Sequence, residues 1–309
     1  MKVITLTLNP AFDVHCQCDD FEAGKESLAK ITSRQAAGKG VNISRALSEL
    51  DTENLAFCIV GEENADEFEK NLSADKVNFL TMKTAGRIRE NYTIHTQNKA
   101  ETRISFSGFG FCKSRIPQIE DMLLPLIEEG TVVTLTGRLP QGLSAEELRP
   151  TLSKFKAKGA LLVIDSKSFS MDELCFIKPW LIKPNEEEMG EYLNKKIDCF
   201  EQVKRSAKIL RQCGIKNVMI SLGEKGAMLC CDSGIYVAKA PKVEVVSTVG
   251  AGDSSLAGFI WAKLKKQSDT AALTMAVSCG SAACTSEGSL PPKKEIIKKL
   301  VNEVEIQIL

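Results

Sequence analysis

The chain has no excess of either charge: forty lysines and arginines stand against forty aspartates and glutamates in 309 residues. No whole-chain field would hold a nucleic-acid backbone or an anionic membrane, so neither partner is expected and any anion site must be local. A long hydrophobic run is also missing. The opening stretch MKVITLTLNPAFDVH is too short and too interrupted by threonine to be a signal peptide or a membrane span, which leads to the expectation of a cytosolic protein. No paired CxxC occurs among the eleven cysteines, which scatter from Cys16 to Cys284, so neither a zinc site nor a disulfide framework fits. Cys230 and Cys231 are neighbours that a strand would point to opposite faces, and most cysteines are expected to be small buried hydrophobes. Internal repeats, low-complexity tracts and charged tails are absent. What is present is apolar material, 43% of the residues, enough for one large α/β domain or two ordinary ones.

Apolar, β-branched runs recur at Val3 to Leu8, Leu55 to Val60, Thr131 to Thr136, Ala160 to Ile164 and Val218 to Leu222. Helical patterns separate several of them, and the alternation predicts a mostly parallel sheet with helices on its faces. Four segments have a different texture: Ala11 to Cys18, Leu28 to Gln35, Asn91 to Gln97 and Thr102 to Phe106. Their alternation suits a ribbon with one solvated face. They are assigned to a small β-lid, residues 11–37 and 86–110, on an α/β body made of residues 1–10, 38–85 and 111–309. Gly86, Gly108 and Gly110 at the junctions would permit the turns. Further helices are predicted at Asn185 to Asn194, Phe200 to Cys213, Ala251 to Lys265, Asp269 to Thr285 and Lys293 to Val304, with a glycine-built hairpin after the strand at Asn217 to Leu222.

Two glycine-rich turns lead into helices. In Ser247 to Phe259, Gly250 and Gly252 let the backbone approach a ligand, and the free N–H groups of the helix start favour an anion. Asp253 lies in that first turn, where its bland role is to complement the helix dipole. Ser255 occupies the place of the last glycine of a dinucleotide fingerprint, which excludes that motif. In Ala36 to Leu47, Lys39 is followed by Gly40, so this is not a Walker A loop. Lys39 would hold a phosphate as a point charge, and Asn42 would pair with a sugar hydroxyl through both halves of its amide. Each turn alone is a weak signal.

Together they carry more. Ala37-Gly38-Lys39-Gly40-Val41-Asn42 and Ser247-Thr248-Val249-Gly250-Ala251-Gly252-Asp253 resemble the GGKGxN and (D/S)TxGAGD segments of the ribokinase-like carbohydrate kinases of the phosphofructokinase B family. The opening Thr7-Leu8-Asn9-Pro10-Ala11-Phe12-Asp13 is similar to the start of the branch containing 1-phosphofructokinase and tagatose-6-phosphate kinase. Lys183-Pro184-Asn185-Glu186-Glu187-Glu188 and Ser221-Leu222-Gly223-Glu224-Lys225-Gly226-Ala227 match that branch's KPNxxE and SLGxxGA. The resemblance spans essentially the whole chain, in order.

It implies a ribokinase-like fold and an ATP-dependent kinase acting on a ketohexose phosphate, fructose 1-phosphate or tagatose 6-phosphate. Asp253 is then the general base, with the amides of Gly250, Ala251 and Gly252 as an anion hole. Asp13, Gly38, Lys39, Gly40, Asn42, Arg89, Asn91, Arg103 and Arg138 fall to the acceptor. Lys183, Asn185, Ser221, Gly223, Gly226 and Thr248 fall to ATP. Asn185 and Glu188 are implied to organise Mg²⁺ through water, although a capped helix with an acidic first turn would show the same spacing. Relatives pair their lids, so a homodimer is implied. Three departures bear on the acceptor: Ala37 replaces the usual glycine, Glu26-Ser27-Leu28 replaces a basic element, and Arg138 stands where serine is usual, bringing positive charge to another wall. Competing expectations are a kinase of an unphosphorylated sugar or nucleoside, against which the Thr7 to Asp13 opening argues, and a non-catalytic sugar-phosphate sensor on the same fold.

Overall fold

The computed structural model describes residues 2–22, 24–96 and 101–309. The chain opens with β1 (Val3–Thr7), leaves the body through β2 (Ala11–Cys18) and β3 (Ala29–Ala37), and returns in α1 (Lys39–Glu49) and β4 (Asn54–Gly61). After α2 (Ala65–Ala74) and β5 (Phe79–Thr84) it makes a second excursion as β6 (Arg89–Thr96) and β7 (Glu101–Ser105). The body resumes with α3 (Ile116–Leu123), β8 (Val132–Thr136), α4 (Ala145–Ala157), β9 (Leu161–Asp165), α5 (Met171–Ile177), β10 (Leu181–Ile182), α6 (Glu186–Leu193), α7 (Phe200–Gln212) and β11 (Asn217–Ser221). The hairpin of β12 (Ala227–Cys231) and β13 (Gly234–Lys239) precedes α8 (Ala251–Leu264), α9 (Asp269–Ala283), α10 (Lys294–Leu300) and β14 (Glu305–Ile308).

Ten strands form the main sheet in the order β14-β13-β12-β11-β10-β9-β8-β1-β4-β5. From β5 to β11 every pairing is parallel, and β12, β13 and β14 add an antiparallel edge. Strands covered on both faces read as nearly continuous apolar runs, and β1, β4, β8 and β12 are buried at every residue, with Thr5, Thr7, Asn54, Thr134 and Thr136 the polar exceptions. One core packs α1, α8, α9 and α10 on one face, and a second packs the other helices on the opposite face. From β1 the chain order runs outward in both directions, to β4 and β5 on one side and to β8 through β11 on the other. Such a switch point opens a crevice beyond the carboxyl ends of the strands, where α/β folds bind ligands.

The small sheet has the order β3-β2-β6-β7, with β2 and β6 parallel and hairpin partners outside them. Both excursions thus meet in one layer, as the alternating texture predicts. Gly86 and Gly108 have the positive φ expected of junction turns, 99° and 86°. Gly110 does not need it, and instead forms an isolated bridge with Gln141. The expected end of the third ribbon strand, Gln97, lies outside the described residues. Elsewhere the last helix stops at Leu300 rather than Val304, because Val301–Glu303 tighten into a 3-10 turn that leads into β14 on the edge of the sheet. Six cysteines (Cys16, Cys18, Cys58, Cys230, Cys231 and Cys279) are buried as free thiols, whereas Cys175 and Cys213, 38 residues apart, are joined as a disulfide between α5 and the end of α7. No helix among the described residues is long and apolar enough to cross a membrane.

Candidate active site

The end of β1 and the start of α1 are pressed together, and glycine makes this possible. A Cβ at Gly38 (φ 144°) would stand 2.5 Å from Thr7 Cγ2, and one at Gly40 would stand 2.4 Å from Thr7 Oγ1. With both absent, α1 begins at Lys39 and presents Lys39 and Asn42 to the crevice. Opposite, Gly250 caps α8 in the left-handed region (φ 77°), so that Gly252 and Asp253 face the same space. Ala251 does not line it and donates its N–H to Thr248 O at 3.3 Å.

The resulting cleft holds about 540 Å³ and is bounded by the ends of β1, β8 and β9, the first turns of α1 and α8, and the inner face of the small sheet. At its floor Asn42 Nδ2 donates to Asp253 Oδ2 at 2.9 Å. Burial pushes the Asp253 carboxyl up to about 6, and Asp165 adds to the rise against the pull of Lys39, the Asn42 hydrogen bond and Lys183. A carboxyl so placed is ionised at neutral pH yet close enough to it to accept a proton. Asp165, at the end of β9, is buried between Lys39 Nζ at 3.2 Å and Lys183 Nζ at 3.3 Å. Burial alone would raise Asp165, but Lys183 and Lys39 outweigh it and hold the carboxyl below its ordinary value. Burial likewise opposes the charge on Lys39, and Asp165, Asp253 and Glu188 overcome it and raise its pKa. Asp165 was not among the motif residues; its only signal is a carboxylate closing an apolar strand.

Above the floor, the small sheet contributes Asp13, Asn91, Arg89 and Arg103. Asn91 Nδ2 donates to Asp13 Oδ1 at 3.0 Å, and Arg103 lies 3.6 Å from the same oxygen. Arg89 donates to Phe106 O at 2.9 Å, and its pKa is lowered by burial, then by Arg138 and Arg103 nearby, against the pull of Asp13. Arg138, in the loop after β8, completes this group of three guanidiniums around one space. The amides of Asn9, Asn42 and Asn91 each donate through nitrogen to protein atoms and leave a buried carbonyl oxygen without a partner among the described residues. All three line the cleft. Buried acceptors of this kind are costly unless a ligand brings donors, and hydroxyl groups would.

The residues assigned to ATP and to Mg²⁺ divide. Lys183 and Thr248 of the first set and Glu188 of the second line the cleft. Asn185 and Ser221 form a bridge at the ends of β10 and β11, outside the lining. Gly223 (φ 60°) has open space beside it, whereas Gly226 is fixed by packing, since a Cβ there would meet Ala238 O. Neither lines the cleft. Asn185 and Glu188 form a reciprocal cap at the start of α6: Asn185 Oδ1 accepts from Glu188 N at 2.8 Å, and Glu188 Oε2 accepts from Asn185 N at 3.1 Å. Glu188 therefore both caps α6 and lines the cleft, whereas Asn185 caps without lining it.

A model of the pfkB family of carbohydrate kinases matches residues 7–296. The chain is 30% identical to the 1-phosphofructokinase of Vibrio cholerae over 308 residues, covering 100% of this chain and 97% of that protein. It is 28% identical to the tagatose-6-phosphate kinase of Staphylococcus epidermidis over 281 residues, 90% of each. Among solved structures, the phosphofructokinase-2 from Escherichia coli superposes with a TM-score of 0.91 at 24% identity, covering 98% of both chains.

Proposed function

Because this chain belongs to the pfkB family of carbohydrate kinases, we propose that it transfers the γ-phosphoryl group of ATP to a hydroxyl of a ketohexose phosphate, fructose 1-phosphate or tagatose 6-phosphate. The observation that carries the acceptor class is the convergence of Arg89, Arg103 and Arg138 in the cleft that holds Asp253. Like charges brought together, with burial lowering the pKa of Arg89 and Asp13 the one carboxylate beside Arg103 among the described residues, fit a dianionic ligand, whereas a free sugar would bring no compensating charge.

Asp253 is the group that takes the proton from the acceptor hydroxyl, and Asn42 holds its carboxylate in position. The orphaned oxygens of Asn9, Asn42 and Asn91 accept from the remaining sugar hydroxyls, with Asp13 beside them. Lys39, held between Asp165 and Asp253, stabilises charge on the transferring group, joined by the amides of Gly250 and Gly252 at the helix start. Phosphoryl transfer asks the protein mainly for this positioning and charge stabilisation. Lys183 and Thr248 face the ATP phosphates, and Gly223 leaves open backbone beside the nucleotide side. Mg²⁺ would neutralise charge on those phosphates. One carboxylate oxygen of Glu188 is spent on the α6 cap, and no group of three or more potential ligands occurs among the described residues, so the set fits an ion held through water and phosphate oxygens.

The small sheet acts as a lid, and its outward side exposes Leu28, Ile31, Ile104 and Phe106. A second copy covering that side gives a homodimer through the lids. ATP consumption fits the cytosolic setting expected from the sequence. Measuring ADP release with each phosphorylated ketose against its free sugar tests the acceptor class; a free sugar used as well as its phosphate would refute it.

A further inference from the structure

The chain has two histidines, and the lid brings them together. His15 on β2 and His95 on β6 lie on adjacent parallel strands, on the same face as Asp13, Asn91 and Arg103, because these residues alternate in register. His15 Nδ1 and His95 Nε2 are 3.0 Å apart, with the rings within 11° of parallel. The other edge of the His15 ring leaves the lid and lies over Gly288, in the segment joining α9 to α10: a Cβ there would stand 3.3 Å from Nε2 and 3.7 Å from Cε1. Gly288 has φ 56°. The next residue, Ser289, is buried against Gly250, whose missing Cβ would be 3.5 Å from Ser289 Cα. The same segment begins at Cys284, whose carbonyl accepts from Val246 N at 2.8 Å and Ser247 N at 3.2 Å. A continuous path of contacts thus runs from the lid through His15 to the turn that carries Asp253.

We propose that His15 is a positioning residue that docks the lid on the α9–α10 segment, and that His95 acts only by holding the His15 ring. The inference rests on the kinase reading above, since docking matters because the lid carries the acceptor contacts and the turn carries the base. Burial and His95 keep the His15 pKa below the ordinary imidazole value despite Asp13 and Glu101, with Arg103 lowering it further. The His15 ring is therefore neutral at pH 7 and above, and one of the two facing nitrogens supplies the shared hydrogen. Without the ring, the acceptor groups of the lid lose their fixed distance to Asp253, and a misplacement on the order of 1 Å can cost about 10²-fold in rate.

Amide exchange of residues 284–290 in the ligand-free protein reads the contact without reference to activity. It should quicken about tenfold or more in His15→Ala, and to a lesser extent in His95→Ala, the variant that keeps the test available if His15→Ala does not fold. In the kinase assay, His15→Ala should lose about tenfold or more in kcat while the ATP KM moves less than about threefold. His95→Gln, whose amide still meets Nδ1, should restore most of the loss of His95→Ala. The double alanine variant should match His15→Ala alone, since His95 has no separate route. Unchanged exchange in His15→Ala, or a double variant that loses the product of the two single losses, overturns the proposal. An inactive wild type would count against the kinase reading instead, and the exchange result would still decide the docking.

Discussion

Replacing Asp253 with asparagine should move activity and stability in opposite directions. The substituted amide keeps the shape of the side chain, and its oxygen can still accept from Asn42 Nδ2, so the floor of the cleft should stay packed. It cannot accept a proton from the acceptor hydroxyl. A positioned base contributes about 10²- to 10⁴-fold, so kcat should fall by at least about 10²-fold while the KM values for ATP and sugar phosphate stay nearly unchanged. The stability effect follows from the raised carboxyl. A group taken from 3.8 to about 6 by burial binds its proton more tightly in the folded state, so its contribution is full below about pH 4 and is lost as pH rises through 6. Ionising it in place costs on the order of 3 kcal/mol. The neutral variant avoids that cost, so at pH 8 it should melt at a higher temperature than the wild type, and the two should converge near pH 4. Steady-state kinetics and thermal melts at the two pH values check both halves. A loss of less than about tenfold in kcat would show that another group takes the proton, and a variant less stable at pH 8 would refute the burial argument.

Other outcomes follow from the same geometry. The kcat/KM of the wild type should fall about tenfold per pH unit below an apparent pKa near 6, and the limb should be missing from the residual rate of Asp253→Asn; a limb that persists would belong to the substrate phosphate. Arg138→Ala should raise the KM for the phosphorylated ketose by roughly 10- to 150-fold, the equivalent of about 1.5 to 3 kcal/mol, and leave the free ketose almost unaffected; equal losses on both would remove the phosphate from this wall. Arg89 and Arg103 are less clean choices, because Arg89 also donates to the Phe106 carbonyl and Arg103 lies 3.6 Å from Asp13 Oδ1. Light scattering at micromolar concentration should report about twice the chain mass of 33.8 kDa, and a strict monomer would contradict the lid pairing.

Much of the fold is legible in the chain because strands buried on both faces are mostly apolar and β-branched, with threonine the commonest exception, which marks β1, β4, β8, β9 and β11 as runs. The small sheet is legible for a different reason: residues that alternate between the cleft and the opposite face, such as Asp13 and the core residue Val14, leave a period of two. β10 has only two residues and β14 only four, too few for a pattern, and their pairing is decided by neighbours far away in sequence. The glycine turns reveal the two helix starts that frame the site, and the structure adds why: Gly38 and Gly40 admit Thr7, a contact that spacing cannot show. Asp165 stayed hidden because its importance comes from Lys39 and Lys183, 126 and 18 residues away, which only the fold places beside it. Gly226 carried a motif for a packing reason, the approach of Ala238, so a matching glycine is not by itself a ligand contact.

The most direct test is a coupled assay of ADP release with ATP and Mg²⁺, run over fructose 1-phosphate, tagatose 6-phosphate, fructose 6-phosphate and the corresponding free sugars. Three guanidiniums in one cleft predict that fructose 1-phosphate or tagatose 6-phosphate is used with a kcat/KM at least about 10²-fold above that of its free ketose. Preference for a free sugar, or ADP release that does not depend on any of these acceptors, would contradict the assignment of a sugar-phosphate kinase.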